Sequence, residues 1–231
     1  MKQFILISSA LCAAGQLLAG DITGTVRAVP KPGTEATALA TTAAYSSRKF
    51  KFVEKVDYDA MRDFVVFLEG KVGTNAVSTN VVQVTTARIA QKGAVFTPHI
   101  LPVVAGTTVE WPNHDDIFHN VFSDSDAKKF DLELYKGNPR EKRVTFDKPG
   151  KVDVYCSIHA NMHCIVLVLE NRYFAVSDAD GKYTLTNVPP GIYKLKAWHE
   201  RLPPDEQEIV VPTNGVVKAD FVLTIKNLPK Y

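Results

Sequence analysis

Between Thr107 and Leu169 the sequence breaks into short runs rich in β-branched and aromatic residues, none longer than six. They are Thr107–Trp111, Ile117–Phe122, Phe130–Tyr135, Arg143–Phe146, Lys151–Tyr155 and Ile165–Leu169. Gly106, Asn113, Gly137 and Pro149-Gly150 punctuate them. Each run is too short to complete an amphipathic helix, whereas strands of this length at this spacing build an all-β sandwich. The same texture extends outward. Ile22–Val26 alternates, Asp63–Glu69 is a short apolar run, and Val81–Thr86 is rich in β-branched residues. Towards the end, Asp180-Gly181 and Pro190-Gly191 mark turns around strands with Tyr183/Leu185 and Tyr193/Leu195/Ala197 on one face. Ile209–Val211 and 216–225 complete a second small sheet.

The chain has 231 residues, 45% hydrophobic, so it can bury one large core or two modest ones. Its 27 basic and 25 acidic side chains leave a net charge of +2, which gives no electrostatic case for nucleic acid. Residues 1–20 carry one lysine, an uncharged apolar run and closing small residues, the form of a secretory signal peptide with cleavage after Ala19 or Gly20. Cys12 would leave with it, and the mature chain would carry no membrane span. A periplasmic or secreted location follows, in which Cys156 and Cys164 are free to form a disulfide. Residues 31–62 read as a surface excursion with a short helix, and Lys49–Lys55 within it as a solvated edge strand.

One stretch concentrates chemistry. YCSIHANMHC, residues 155–164, holds two cysteines, two histidines and a methionine. Cys156-x-x-His159-x-x-Met162 offers a thiolate, an imidazole and a thioether from a tight loop between two strands. Soft sulfur with imidazole suits copper, and two histidines, one cysteine and a weak axial methionine form the blue-copper set. His119, in a strand-like run 37 residues before Cys156, supplies the second histidine. The competing reading at this stage is a Cys156–Cys164 disulfide, which would consume the ligand.

The run FTPHILPVVAGTTVEWPNHDDIFHNVFS, followed by FDLELY, VTFDKPGKVDVYCSIHANM and IVLVLE, resembles the cupredoxins, and among them a methylamine-utilisation-type, amicyanin-like group. The resemblance covers roughly residues 80–170. It implies a cupredoxin Greek-key β-sandwich over residues 77–170 with one type 1 copper. By the same likeness His119, Cys156 and His159 are equatorial ligands and Met162 is axial. The Asn120 amide would donate to the Cys156 sulfur, and the Asn120 side chain would brace Ser157. His163-Cys164 departs from the pattern, leaving His163 as an alternative to Met162 and Cys164 as a small buried strand residue.

Residues 171–231 resemble a carboxypeptidase-regulatory-like, transthyretin-like module, whose first two strands are matched by Ile22–Val26 and Val65–Glu69. The expected organisation is therefore a second small β-sandwich of residues 21–76 with 171–231, into which the cupredoxin is inserted. No H-E-x-x-H or G-x-S-x-G is present, and the chain reads as a non-enzyme. His99 reads as structural or as lining the approach to the site, His114 as a turn residue, and His199 as structural. Asp178–Gly181 reads as a hairpin turn rather than a calcium loop. The implied function is single-electron transfer with redox proteins such as cytochrome c or a periplasmic dehydrogenase, docking through an apolar patch around Ala160 and Met162. Copper delivery without redox work and a metal-free scaffold are the alternatives.

Overall fold

The structure is a computed structural model, and it describes residues 19–31, 56–72, 86–137 and 142–225. These residues hold strands and no helix. In chain order the strands are β1 (Gly20–Ala28), β2 (Val65–Leu68), β3 (Thr86–Arg88), β4 (Ala90–Gln91), β5 (Phe96–Thr97) and β6 (Ile100–Val104). They continue with β7 (Thr107–Glu110), β8 (His119–Ser125), β9 (Lys128–Tyr135), β10 (Arg143–Phe146), β11 (Gly150–Tyr155) and β12 (His163–Leu169). The last six are β13 (Phe174–Val176), β14 (Lys182–Val188), β15 (Gly191–His199), β16 (Leu202–Val211), β17 (Val216–Lys218) and β18 (Phe221–Leu223). The leader at 1–18, the excursion at 32–55 with Lys49–Lys55, and residues 81–85 of the expected third strand lie outside the described residues.

Four sheets stack in layers, and side-chain alternation shows how. In β2, Val66 and Leu68 enter a core with Ile22, Val26, Leu185, Leu195 and Phe221, between the sheet β14-β1-β17 and the sheet β13-β2-β15-β16. Val65 and Phe67 point the other way, into a cluster with Ile100, Leu167, Leu169 and Trp198. That second cluster joins β2 and β15 to β6 and β12, which belong to the sheet β6-β12-β11-β8-β9. A third core, with Trp111, Phe146, Val154, Cys164, Val166 and Val168, separates this five-stranded sheet from β10-β7-β3. Successive strand side chains face opposite ways, so β12 is buried on both faces. Its unbroken run Ile165-Val-Leu-Val-Leu169 is the consequence.

The chain ends meet in the first sheet. Ile22 of β1 pairs antiparallel with Leu185 of β14, and Ile22 and Val26 pair in parallel with Val217 and Phe221. β2 pairs antiparallel with β15, Val66 opposite Ala197. The segment 216–225 is not one strand. It steps from β17 to β18 at Ala219-Asp220, where Asp220 Oδ1 accepts from the Thr25 amide (2.8 Å) and hydroxyl (3.0 Å). β16 runs ten residues through Pro203-Pro204, tolerated because it is an edge strand whose prolines need donate to no neighbour.

Gly24 lies where β1 passes closest to this step. A Cβ there would stand 1.7 Å from the Ala219 carbonyl oxygen. Backbone cannot yield as a side-chain tip can, so Gly24→Ala should cost about 1–3 kcal/mol. The check is the denaturant midpoint at constant slope; an unchanged midpoint would mean that β1 does not press on residues 217–220 as described.

Candidate metal centre

Two turns converge at one end of the five-stranded sheet. β11 pairs antiparallel with β12, Tyr155 opposite His163, and Tyr155 also pairs with Phe122 of β8. The loop that closes β11 onto β12 therefore hangs beside the start of β8. The Cys156 amide donates to the Met162 carbonyl (3.1 Å) and the Met162 amide to the His159 carbonyl (3.0 Å), which winds the loop tightly. β8 begins at His119, leaving Ile117 and Phe118 exposed ahead of it rather than in the strand.

This placement brings three of the expected ligands together. His119 Nδ1 lies 3.1 Å from His159 Nδ1, and the Cys156 sulfur lies 3.6 Å from His159 Nδ1. The donor atoms of His119, Cys156 and His159 all fall within 4.8 Å of one another. Donors that share one ion at metal–nitrogen distances of about 2.0–2.1 Å and a metal–sulfur distance of about 2.3 Å sit roughly 3.3–3.8 Å apart. The contacts at 3.1 and 3.6 Å are close to those spacings, so the residues fit a metal with small adjustments.

Met162 is buried at 1% exposure in the same core cluster as Cys156. His163 does not join the three. Strand alternation turns the odd positions of β12 toward β2 and β15, so the His163 ring stacks on Tyr155 (4.8 Å) and its Nε2 meets Asp153 Oδ1 (3.2 Å). Cys156 and Cys164 are both free. Cys164 is fully buried against Val154 and Val166, and burial pushes its thiol well above the usual range. The disulfide reading is thereby set aside.

A carboxylate orients His119. Its Nε2 lies 2.8 Å from Asp115 Oδ2, and since a carboxylate accepts, the Nε2–H donates and Nδ1 keeps its lone pair for an ion. Asp115 is held in turn by the amides of Gly93 (2.6 Å) and Ala94 (2.9 Å), which, the Ala94 amide foremost, bring its pKa down to about 2 against the opposing effect of burial. Asn113 shapes the loop that carries it. Its Nδ2 donates to the carbonyls of Ile117 (2.9 Å) and Tyr135 (3.1 Å), while Oδ1 accepts from the Asp115 amide (2.9 Å). Below, the Tyr135 hydroxyl donates to the Trp111 carbonyl (2.6 Å), and Gln91 Nε2 donates to the same carbonyl (3.0 Å).

Asn120 reaches the ligand loop through its side chain. Oδ1 accepts from the Ser157 amide (3.2 Å) and Nδ2 donates to Asp131 (2.6 Å). Among the described residues the polar contact of the Cys156 sulfur is with His159 rather than with the Asn120 amide. The remaining histidines stand elsewhere. His114 is exposed in its turn, and His199 is buried against Phe64, which lowers its pKa. His99 faces His163 and Glu200 rather than lining an approach to the three ligands. At Asp178–Gly181 the Asp178 carboxylate accepts from the amides of Asp180 and Lys182, a hairpin turn. From sequence Asn113 reads only as punctuation and Asp115 carries no motif; the one signal for it is a carboxylate four residues before a candidate ligand.

A family model described as copper binding proteins, plastocyanin/azurin family, matches residues 82–169. Among solved structures, a copper-containing nitrite reductase from Thermus scotoductus SA-01 is 29% identical, with a TM-score of 0.36 over 42% of this chain. The match covers 25% of that enzyme, so this chain spans about a quarter of its length. A purple cupredoxin from Nitrosopumilus maritimus is 28% identical over 36% of this chain and 98% of its own, with a TM-score of 0.31. A reduced amicyanin variant is 22% identical over 36% of this chain and 81% of its own, with a TM-score of 0.32. Comparison with curated proteins gives no match. The copper of the matched family and the N₂S donor set agree, since imidazole with thiolate is a combination that copper favours.

Replacing Asp115 by Asn keeps the shape and removes the charge that holds the His119 proton on Nε2. Loss of such a carboxylate partner typically costs 10–100-fold in metal affinity. Competition with a copper chelator should show Asp115→Asn weakened by about that factor; equal affinities would show that His119 needs no such partner.

Proposed function

We propose that this chain is an exported type 1 copper protein that passes single electrons between redox partners. The observation that carries the reading is the meeting of His119 Nδ1, His159 Nδ1 and the Cys156 sulfur within the reach of one ion. In the proposed centre these three and Met162 would hold the copper. Met162 is favoured over His163 because it is buried with Cys156, while His163 occupies the opposite face of its strand. Bound copper would supply the one-electron couple.

The protein's own part is to hold the ligands still and to offer a way in. His119 is 0% exposed and locked by Asp115, so it cannot follow the differing preferences of two oxidation states. The Asn120 brace on Ser157 and the paired amides of Cys156 and Met162 restrain the loop in the same sense. His159 is partly exposed, and its ring edge is the proposed route for the electron.

The proposed docking surface keeps the exposed Ala160 of the expected patch and leaves out Met162. Met162 is buried and cannot contribute to it, whereas Phe118 is 57% and Ile158 52% exposed, each beside a ligand histidine, with Ile117 next to Phe118. An apolar surface of this kind suits brief contact with a small cytochrome c or a periplasmic dehydrogenase, with weak dependence on salt. No catalytic role is assigned.

We further propose that residues 77–170 form a unit inserted into a carboxypeptidase-regulatory-like sandwich of 21–76 with 171–231. The pairing of β1 with β14 and of β2 with β15 supports it. Export rests on the residue 1–20 leader. No described helix is long and apolar enough to cross a membrane.

Loading with Cu(II) tests the reading. Intense blue absorption with narrow copper hyperfine splitting is expected, and Cys156→Ser should abolish the colour. A pale tetragonal signal would instead indicate a copper-delivery protein, and the absence of stoichiometric binding a scaffold.

A further inference from the structure

The odd face of β12 that removes His163 from the first site takes it to a second one. There His163 meets His99, which precedes β6, and Glu200, in the turn between β15 and β16. Their potential ligand atoms lie within 4.8 Å of one another, and the two imidazole centroids are 5.5 Å apart. Two of these residues belong to the five-stranded sheet and its lead-in, and the third to the sheet on the other side of the Val65, Ile100, Leu167 and Leu169 cluster.

The hydrogen bonds give each imidazole one nitrogen for a metal. His99 Nδ1 lies 3.2 Å from the His163 backbone carbonyl, which can only accept, so Nδ1 carries the proton and Nε2 a lone pair. That Nε2 faces Glu200 Oε2 at 2.9 Å. Two lone pairs at this distance need a positive centre between them, either a proton or a metal ion. His163 Nε2 donates to Asp153, itself paired with Lys151, which leaves His163 Nδ1 as its lone-pair nitrogen. A carbonyl or carboxylate on the far nitrogen is the usual support of a metal-bound histidine. His99 and Glu200 are partly exposed, at 38% and 25% of their side chains, which lets an ion enter.

We propose that His99, His163 and Glu200 form a second metal site that takes a divalent transition ion of the zinc class and clips the two sandwiches together. Two imidazoles and a carboxylate suit that ion, and three protein ligands leave a position for water. Binding would fix the Glu200 turn against the start of β12. The proposal is independent of what the first site holds.

The test is a Zn²⁺ titration of the metal-free full chain on the wild type, His99→Ala and Glu200→Gln, with copper loading of the first site followed separately. The wild type should bind one more zinc per chain than either variant, or bind it at least tenfold more tightly. The copper absorption should be the same in all three. Hydrogen exchange around residues 199–202 should slow with zinc in the wild type alone. Equal zinc stoichiometry and affinity in all three proteins would overturn the proposal, as would a wild type that binds no zinc. Because the decisive reading is a difference between variants, failure of the copper assignment would leave it intact.

Discussion

The position of Tyr155 in the ladder fixes everything around the candidate centre. It pairs with Phe122 on one side and with His163 on the other, at the last residue of β11. The chain must turn immediately after it, and the turn falls beside the start of β8, where His119 stands. A register slip of one residue would reverse every side chain of β12 and bring His163 inward in place of Cys164. The ladders of β12 with β11 and β6 hold the register, and a slip would also take the His163 imidazole from Asp153 into an apolar core. Cys164, Val166 and Val168 fill one core while Leu167 and Leu169 fill another.

Rigid support for the ligands comes from outside the ligand loop. The chain Gly93/Ala94 to Asp115 to His119 runs from one connection to another, with Asn113, Tyr135 and Gln91 closing the space beneath. These groups are polar and mostly buried, and the hydrogen bonds among them fix orientation where apolar packing alone would leave the rings free to turn. A site held in this way needs little rearrangement when the charge on its ion changes, the property that rapid electron exchange demands.

The candidate ligands are legible in the sequence because their chemistry is local. Cys156, His159 and Met162 lie in one loop with distinctive spacing, and His119 sits in a run flanked by aromatic residues. The short strands were legible for the same reason, as was the burial of Cys164. What depended on tertiary contact was not. Asp115 acts only because β8 and the Gly93 turn approach it. His99 and Glu200 are 101 residues apart and meet only because two sheets stack. The exclusion of His163 and the burial of Met162 follow from the face each takes, which the sequence HANMHC does not state. The break at Ala219-Asp220 was hidden as well, because both flanking segments read as one apolar run and the step is fixed by Thr25, nearly two hundred residues away.

In the proposed centre one cysteine sulfur and two histidine nitrogens share a single ion. X-ray absorption fine structure at the copper edge of the loaded protein tests it most directly. One short copper–sulfur bond and two imidazole nitrogens are expected, with any further sulfur distant and weak. A shell of nitrogen and oxygen alone, or two short copper–sulfur bonds, would contradict it.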